Sequence, residues 1–137
     1  MEIIKCWVEP GETISEPFAR HIKVMLAPDR RNVPEITFSH AIIYPNSRTD
    51  YHKHDRPELI QILSGRGISI HDGVKTPVEP DMALWVRAGE MHQIINTGEE
   101  SIKLATIFVP GYTAKENLER IVDAAKNVKK GGFGPLS

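Results

Sequence analysis

One cysteine, Cys6, is the only thiol in the 137-residue chain, so no internal disulfide can staple the fold. That fits a reducing compartment, and Cys6 itself reads as a small buried apolar residue. No apolar run approaches the roughly 18 residues that a membrane helix needs. The first residues, Met1 to Trp7, lack a basic segment followed by an apolar core, so no secretory signal is read there. The expected location is cytoplasmic, with no membrane partner. An excess of positive charge is missing too: 17 basic residues face 18 acidic ones, for a formal net charge of −1. That speaks against nucleic acid as a partner held by bulk charge.

Turn punctuation, by contrast, is plentiful. Glycine and proline, ten of each, fence a series of short β-prone runs. His21 to Leu26, Ile36 to Tyr44, Leu59 to Leu63, Ile68 to Ile70, Val74 to Val78, Met82 to Val86, His92 to Ile95 and Ser101 to Val109 all read as strands. Residues 1–20 read as an arm with a turn at Pro10-Gly11 and an edge strand over Ile3 to Val8. Arg30-Arg31 reads as a solvated turn. Many short strands with turns every 8 to 12 residues, and no βαβ alternation, point to an antiparallel sandwich or barrel.

The tail changes character. Thr113 and Glu116 form a capping box, and Leu118, Ile121, Val122, Ala125 and Val128 repeat at helical spacing. Lys129-Lys130 suit the C-terminal dipole end, and Gly131-Gly132 stop the helix. Its apolar stripe is expected to pack on the outside of the barrel or on a partner subunit. The chain length fits one domain: an arm with the first strands over 1–35, a barrel core over 36–112 and the helix over 113–130.

Chemistry concentrates in two stretches. His52 and His54 are one residue apart, so on an extended strand both imidazoles leave the same face about 7 Å apart along the backbone. Glu58 follows across a turn containing Pro57, and His92 stands after the turn signal Ala88-Gly89. Three imidazoles and a carboxylate converging on one point would make a divalent transition-metal site. Spacing alone leaves open that His52 and His54 are surface residues and Glu58 a solvated charge. His21, His40 and His71 have no such companions.

The pattern His52-x-His54-x3-Glu58-x6-Gly65 resembles the first motif of the cupin superfamily, and Arg87-x-Gly89-x2-His92-x3-Asn96 resembles most of the second. The short segment between them, Arg66 to Pro80, is similar to that of small single-domain cupins. Three positions depart from the family pattern: Asn46 and Asp81 stand in place of glycine, and Arg87 in place of proline. The resemblance implies an all-β, cupin-type antiparallel barrel (double-stranded β-helix, or jelly roll) with a C-terminal helix. It implies one divalent transition metal ion per chain, Fe, Mn, Ni, Zn, Co or Cu, held by His52, His54, Glu58 and His92. A homodimer, common in the family, is the expected assembly.

Neighbours of the ligands follow from alternation. Ile60 and Ile62 are expected on the Glu58 face with Gln61 opposite, and Ile94 and Asn96 on the His92 face. Arg48 and His40 are the candidate catalytic groups, Arg48 as a clamp for a carboxylate or phosphate and His40 as a base or a support for the ligands. Arg87 reads as a surface ion pair with Glu90 or Asp81, and Tyr44, Tyr51 and Trp85 as packing residues. Three functions are compatible with the resemblance. The first is a metal-dependent enzyme of dioxygenase, isomerase, lyase or decarboxylase type, acting on a small polar carboxylate- or sugar-like metabolite. The others are a non-catalytic small-molecule binding or sensing module, and a storage role with an idle metal.

Overall fold

Alternating burial along the strands builds the molecule. A computed structural model describes residues 1–131; the side chains of Lys129 and Lys130, and Gly132, lie outside the described residues. Strands β1 (Glu12–Ile14), β2 (Arg20–Leu26), β3 (Thr37–Ile43), β4 (Glu58–Ser64), β5 (Gly67–His71), β6 (Val74–Val78), β7 (Ala83–Val86), β8 (His92–Ile95) and β9 (Ile102–Phe108) precede helix α1 (Ala114–Gly131). Every pairing between them is antiparallel. One sheet runs β1-β2-β3-β9-β4-β7 and the other β6-β5-β8. This is the expected all-β jelly roll with a C-terminal helix, although among the described residues the hydrogen bonds form two sheets, not one closed cylinder. The 47–54 segment extends the smaller sheet through isolated bridges from Arg48 to Ile95 and from His52 to His92.

The period-2 rule sets what faces inward. On β3, Thr37, Ser39, Ala41 and Ile43 are buried and Phe38, His40 and Ile42 are not. On β4, Glu58, Ile60 and Ile62 are buried while Gln61 is exposed, as the alternation requires. The apolar core gathers Ile22, Val24, Ala41, Ile43, Ile60, Ile62, Ile94, Ile102 and Leu104 from both sheets. Burying each such side chain contributes roughly 1.5–3 kcal/mol.

Helix α1 starts as its sequence demands. The Thr113 hydroxyl accepts the Glu116 N–H at 3.1 Å while the Glu116 carboxylate accepts the Thr113 N–H at 2.7 Å. Asp29, from a distant turn, accepts the N–H groups of Ala114 and Lys115 at 2.6 and 3.2 Å. The apolar stripe is used within the same chain. Ile121 and Ala125 join the core, with Leu118, Val122 and Val128 packed against it.

Several expectations are corrected. Ile3 to Val8 is not an edge strand: Cys6–Val8 is a single 3-10 turn with no buried residue, and the first strand comes later, at Glu12–Ile14. Cys6 is only half-buried because that turn lies outside the core. Trp85 is 50% exposed, since β7 is the last strand of its sheet and Trp85 lies on its outer face. The Arg30-Arg31 turn is more than solvated. Arg30 and Arg31 donate to the carbonyls of Val24 and Met25, and Arg31 pairs with Glu9 of the arm.

The departures from the family motif keep the backbone shape. Asn46 and Asp81 have φ of 61° and 72°, the left-handed region that short polar residues tolerate best after glycine. Arg87, where a proline would have no N–H, donates its own to the Glu90 carboxylate at 3.0 Å. The ion pair expected between the two side chains is present at 3.8 Å.

Candidate metal centre

Backbone pairing brings the two histidine stretches together. The His92 N–H donates to the His52 carbonyl at 2.8 Å, and the His52 N–H donates back at 3.1 Å. The three rings cluster with centroids 4.3 to 5.3 Å apart. His52 Nδ1 donates to the Asp50 carbonyl at 2.7 Å and His92 Nδ1 to the Glu90 carbonyl at 2.9 Å. A carbonyl only accepts, so these contacts put the proton on Nδ1 and leave the Nε2 lone pairs facing inward.

The Nε2 atoms converge. His52 Nε2 and His54 Nε2 are 2.9 Å apart, and Glu58 Oε1 lies 3.3 Å from His92 Nε2 and 3.7 Å from His54 Nε2. Two ligands at right angles, each roughly 2.1 Å from one ion, would lie about 3 Å apart. A hydrogen bond between His52 and His54 would use the same spacing. It would not account for His92 Nε2, which is buried without a hydrogen-bond partner. A buried polar atom left in that state is costly, and a shared cation satisfies all four donors together. The residues therefore fit a divalent transition metal with mixed imidazole and carboxylate ligation.

Electrostatics keeps His52 and His54 neutral. Burial, then the nearby Arg120 charge and His92, holds His52 well below the ordinary imidazole value. Burial, then His52, Arg120 and His92, lowers His54 to about 2. For His92 burial acts in the same direction, but its contact with Glu58 outweighs it and the pKa is raised.

The four groups open into a cavity of about 60 Å3, room for an ion and a few small groups. Its wall is apolar over Ile22, Ala41, Ile60, Ile94, Leu104, Phe108 and Ile121, and polar over Arg20, Ser39, Thr49, Thr106, Asn117 and Arg120. Asn117, Arg120 and Ile121 come from α1, so the helix roofs the site and does not lie on the outer surface as expected. Buried Asp50 links roof and ligands. Its carboxylate is 3.4 Å from Arg20, 3.5 Å from Arg120 and 3.4 Å from His52 Nδ1.

The structure brings His52, His54, Glu58 and His92 together but not Arg48 or His40. Arg48 lies outside the cavity lining, with its guanidinium 5.9 Å from the Phe18 ring centroid. His40 leaves the opposite face of β3 from Ser39 and Ala41. It packs edge-on against Phe38 and lines a separate groove with His21, Lys23 and Lys103. Burial and those two lysines lower its pKa. Of the other histidines, His71 does have companions, pairing with Glu90 and Asp72 at the surface. Ile94 lines the cavity with His92, but Asn96, expected on the same face, does not: it is buried and holds the backbone, donating to the carbonyls of Ile43, Tyr44 and Glu100.

Sequence reasoning missed Arg20, Asp50, Asn117 and Arg120. Asp50 was within reach, being two residues before His52 and so on the same face of an extended segment. Nothing in the helical pattern said which surface the helix would cover.

Comparison with known proteins agrees on the architecture. The family model described as Cupin domain matches residues 39–109, just over half of the chain. No curated protein is significantly similar in sequence. Among solved structures, one described as a predicted oxalate decarboxylase from Thermotoga maritima has a TM-score of 0.73 at 21% identity. The match covers 80% of this chain and 99% of that one. Ectoine synthase from P. lautus has a TM-score of 0.71 at 16% identity, covering 88% of this chain and 86% of that one. A polyketide cyclase from Streptomyces resistomycificus has a TM-score of 0.70 at 15% identity, covering 91% and 98%. At these identities the likeness is one of fold.

Proposed function

The chain belongs to the Cupin domain family, and from that premise we propose that it is a metal-dependent enzyme acting on a small polar metabolite. The observation that carries this reading is the convergence of His52, His54, Glu58 and His92 on a cavity whose other walls supply both apolar surface and unspent polar groups. Three of the similar folds are described as a predicted decarboxylase, a synthase and a cyclase, which favours an enzyme on this scaffold. Fold does not fix chemistry, so the weight rests on the site.

His52, His54, Glu58 and His92 would hold the ion. A bound divalent ion supplies a Lewis acid that polarises a carbonyl or carboxylate oxygen, or activates oxygen. The protein's own contribution is to place it. The Asp50 and Glu90 carbonyls fix the two Nδ1 protons, which keeps the His52 and His92 rings in one tautomer. Ile60, Ile94 and Phe108 exclude water from one side, which strengthens every charge interaction inside. Arg20 and Arg120 bring positive charge to the other side, in the place expected for Arg48 and His40.

Turnover distinguishes an enzyme from a binding module. The metal-loaded protein is incubated with a panel of small hydroxy-, keto- and dicarboxylic acids and sugar acids, and products are read by mass. An enzyme converts at least one of them, loses that activity with chelator and regains it on adding back one metal. A ligand that binds and is always recovered unchanged would move the assignment to a non-catalytic binding cupin.

A further inference from the structure

The roof of the site carries its own signal. Asn117 is only 6% exposed, yet its side chain lines two cavities. A side-chain amide placed against a cavity can donate and accept hydrogen bonds there. Arg120 follows three residues later, on the same face of α1. Both residues line the inner cavity beside the metal ligands and also an outer cavity of about 300 Å3 bounded by Lys53, Asp55 and Tyr112. His54 is the third residue common to the two. Asn117 and Arg120 thus stand between the inner cavity and the outer one.

We propose that Asn117 and Arg120 form a carboxylate-binding subsite, and that the substrate is a small carboxylic acid whose carboxylate is held by α1 while another oxygen faces the metal ligands. This rests on the metal-dependent reading above and narrows its substrate class. Charge is the first reason. Arg20 and Arg120 with a divalent ion outweigh Asp50 and Glu58, so the loaded cavity has net positive charge and favours an anion. The second is that Arg120 is under-used. Only one of its nitrogens meets Asp50, at 3.5 Å, well beyond the 2.7–2.9 Å of a strong charge-assisted bond. A guanidinium offers five N–H donors in a fork that matches a carboxylate, and the Asn117 amide can add another. The third reason disfavours a neutral sugar. Hydroxyl groups need acceptors, and the one carboxylate lining the cavity, Glu58, is already engaged by the imidazoles.

The test uses malonate as the probe, with malonamide as its uncharged counterpart, titrated calorimetrically into the full-length, metal-loaded protein. The variants are Arg120→Gln, Arg120→Lys and Asn117→Ala, each checked for metal content and melting temperature. Malonate is expected to bind the wild type at least tenfold more tightly than malonamide does. Arg120→Gln should lose at least tenfold of that affinity with its metal content intact, Arg120→Lys should recover part of it, and Asn117→Ala should lose severalfold. Equal affinity for the two probes, no malonate binding at all, or unchanged affinity in a metal-replete Arg120→Gln would overturn the subsite while the metal reading stands. A wild type that takes up no metal overturns that reading and the subsite with it, and the metal content tells the two failures apart.

Discussion

Arg120 Nη1 on helix α1 lies 3.5 Å from Asp50 Oδ2, a contact between residues 70 positions apart that ties the roof of the cavity to the histidine segment. Asp50 also faces the buried Arg20 and approaches His52 Nδ1. One carboxylate thus touches both arginines of the cavity wall, the helix and a candidate ligand.

Replacing Asp50 by asparagine keeps the shape and removes the charge. Arg20 is then buried without a counter-ion, which costs about 3–5 kcal/mol, or a fall in melting temperature on the order of 10 °C. Metal affinity should drop about 10–100-fold, as for other groups that orient a ligand. Thermal unfolding and metal titration check both, and a variant matching the wild type in each would remove Asp50 from its linking role.

Acid should weaken the metal-free fold. His52 and His54 have folded pKa values below that of a free imidazole, His54 at about 2. The unfolded chain therefore binds more protons than the folded one below pH 6.5, and stability falls as pH drops. His92, raised by Glu58 after burial is overcome, works the other way: its contribution is present below pH 6.5 and lost as pH rises. Two groups outweigh one, so the melting temperature of the metal-free protein should fall between pH 7 and pH 5. A flat or rising profile would mean that the imidazoles are not buried neutral.

Two glycines offer a matched pair. Gly65 and Gly73 have φ of +82° and +84°, but a Cβ on Gly65 would sit 2.4 Å from the Ser101 carbonyl oxygen, whereas one on Gly73 would meet nothing within 4 Å. Gly73→Ala should cost only the left-handed penalty of about 1–2 kcal/mol. Gly65→Ala should cost clearly more, because backbone must move. Equal losses in denaturant titration would contradict the close approach of β4 and β9 at that turn.

The helix can be loosened at its start. Asp29→Ala removes acceptors from the Ala114 and Lys115 N–H groups and should cost about 1 kcal/mol. Because α1 carries Asn117 and Arg120, hydrogen exchange should rise across the first turns of α1 before it rises in the strands. Uniform exchange throughout the protein would argue that roof and sheets open as one unit.

How much of this was legible in the sequence depended on whether the signal was local. The strands of the two motifs and the capping box are written in short-range spacing, the ligand set was implied only by the resemblance to the cupin motifs, and Glu58, Ile60 and Ile62 turn inward as period 2 demands. The helix stripe at Leu118, Ile121 and Ala125 was legible, but the surface it covers was not, because that depends on contacts with strands a hundred residues earlier. For the same reason Arg120 was missed and Arg48 favoured: proximity in sequence to His52 stood in for proximity in space. His40 was misplaced more simply, since the phase of β3 is fixed by Ser39 and Ala41. Trp85 illustrates a further gap, because nothing in a strand's composition marks it as the edge of a sheet.

The central claim is that His52, His54, Glu58 and His92 bind one metal ion. Elemental analysis of protein purified without chelator, beside His54→Ala and His92→Ala prepared in parallel, tests it directly. The account predicts about one equivalent of Fe, Mn, Ni, Co, Cu or Zn per chain, lost in both variants while circular dichroism shows the sheets intact. Unchanged metal content in the variants, or no metal in the wild type even after reconstitution, would contradict it.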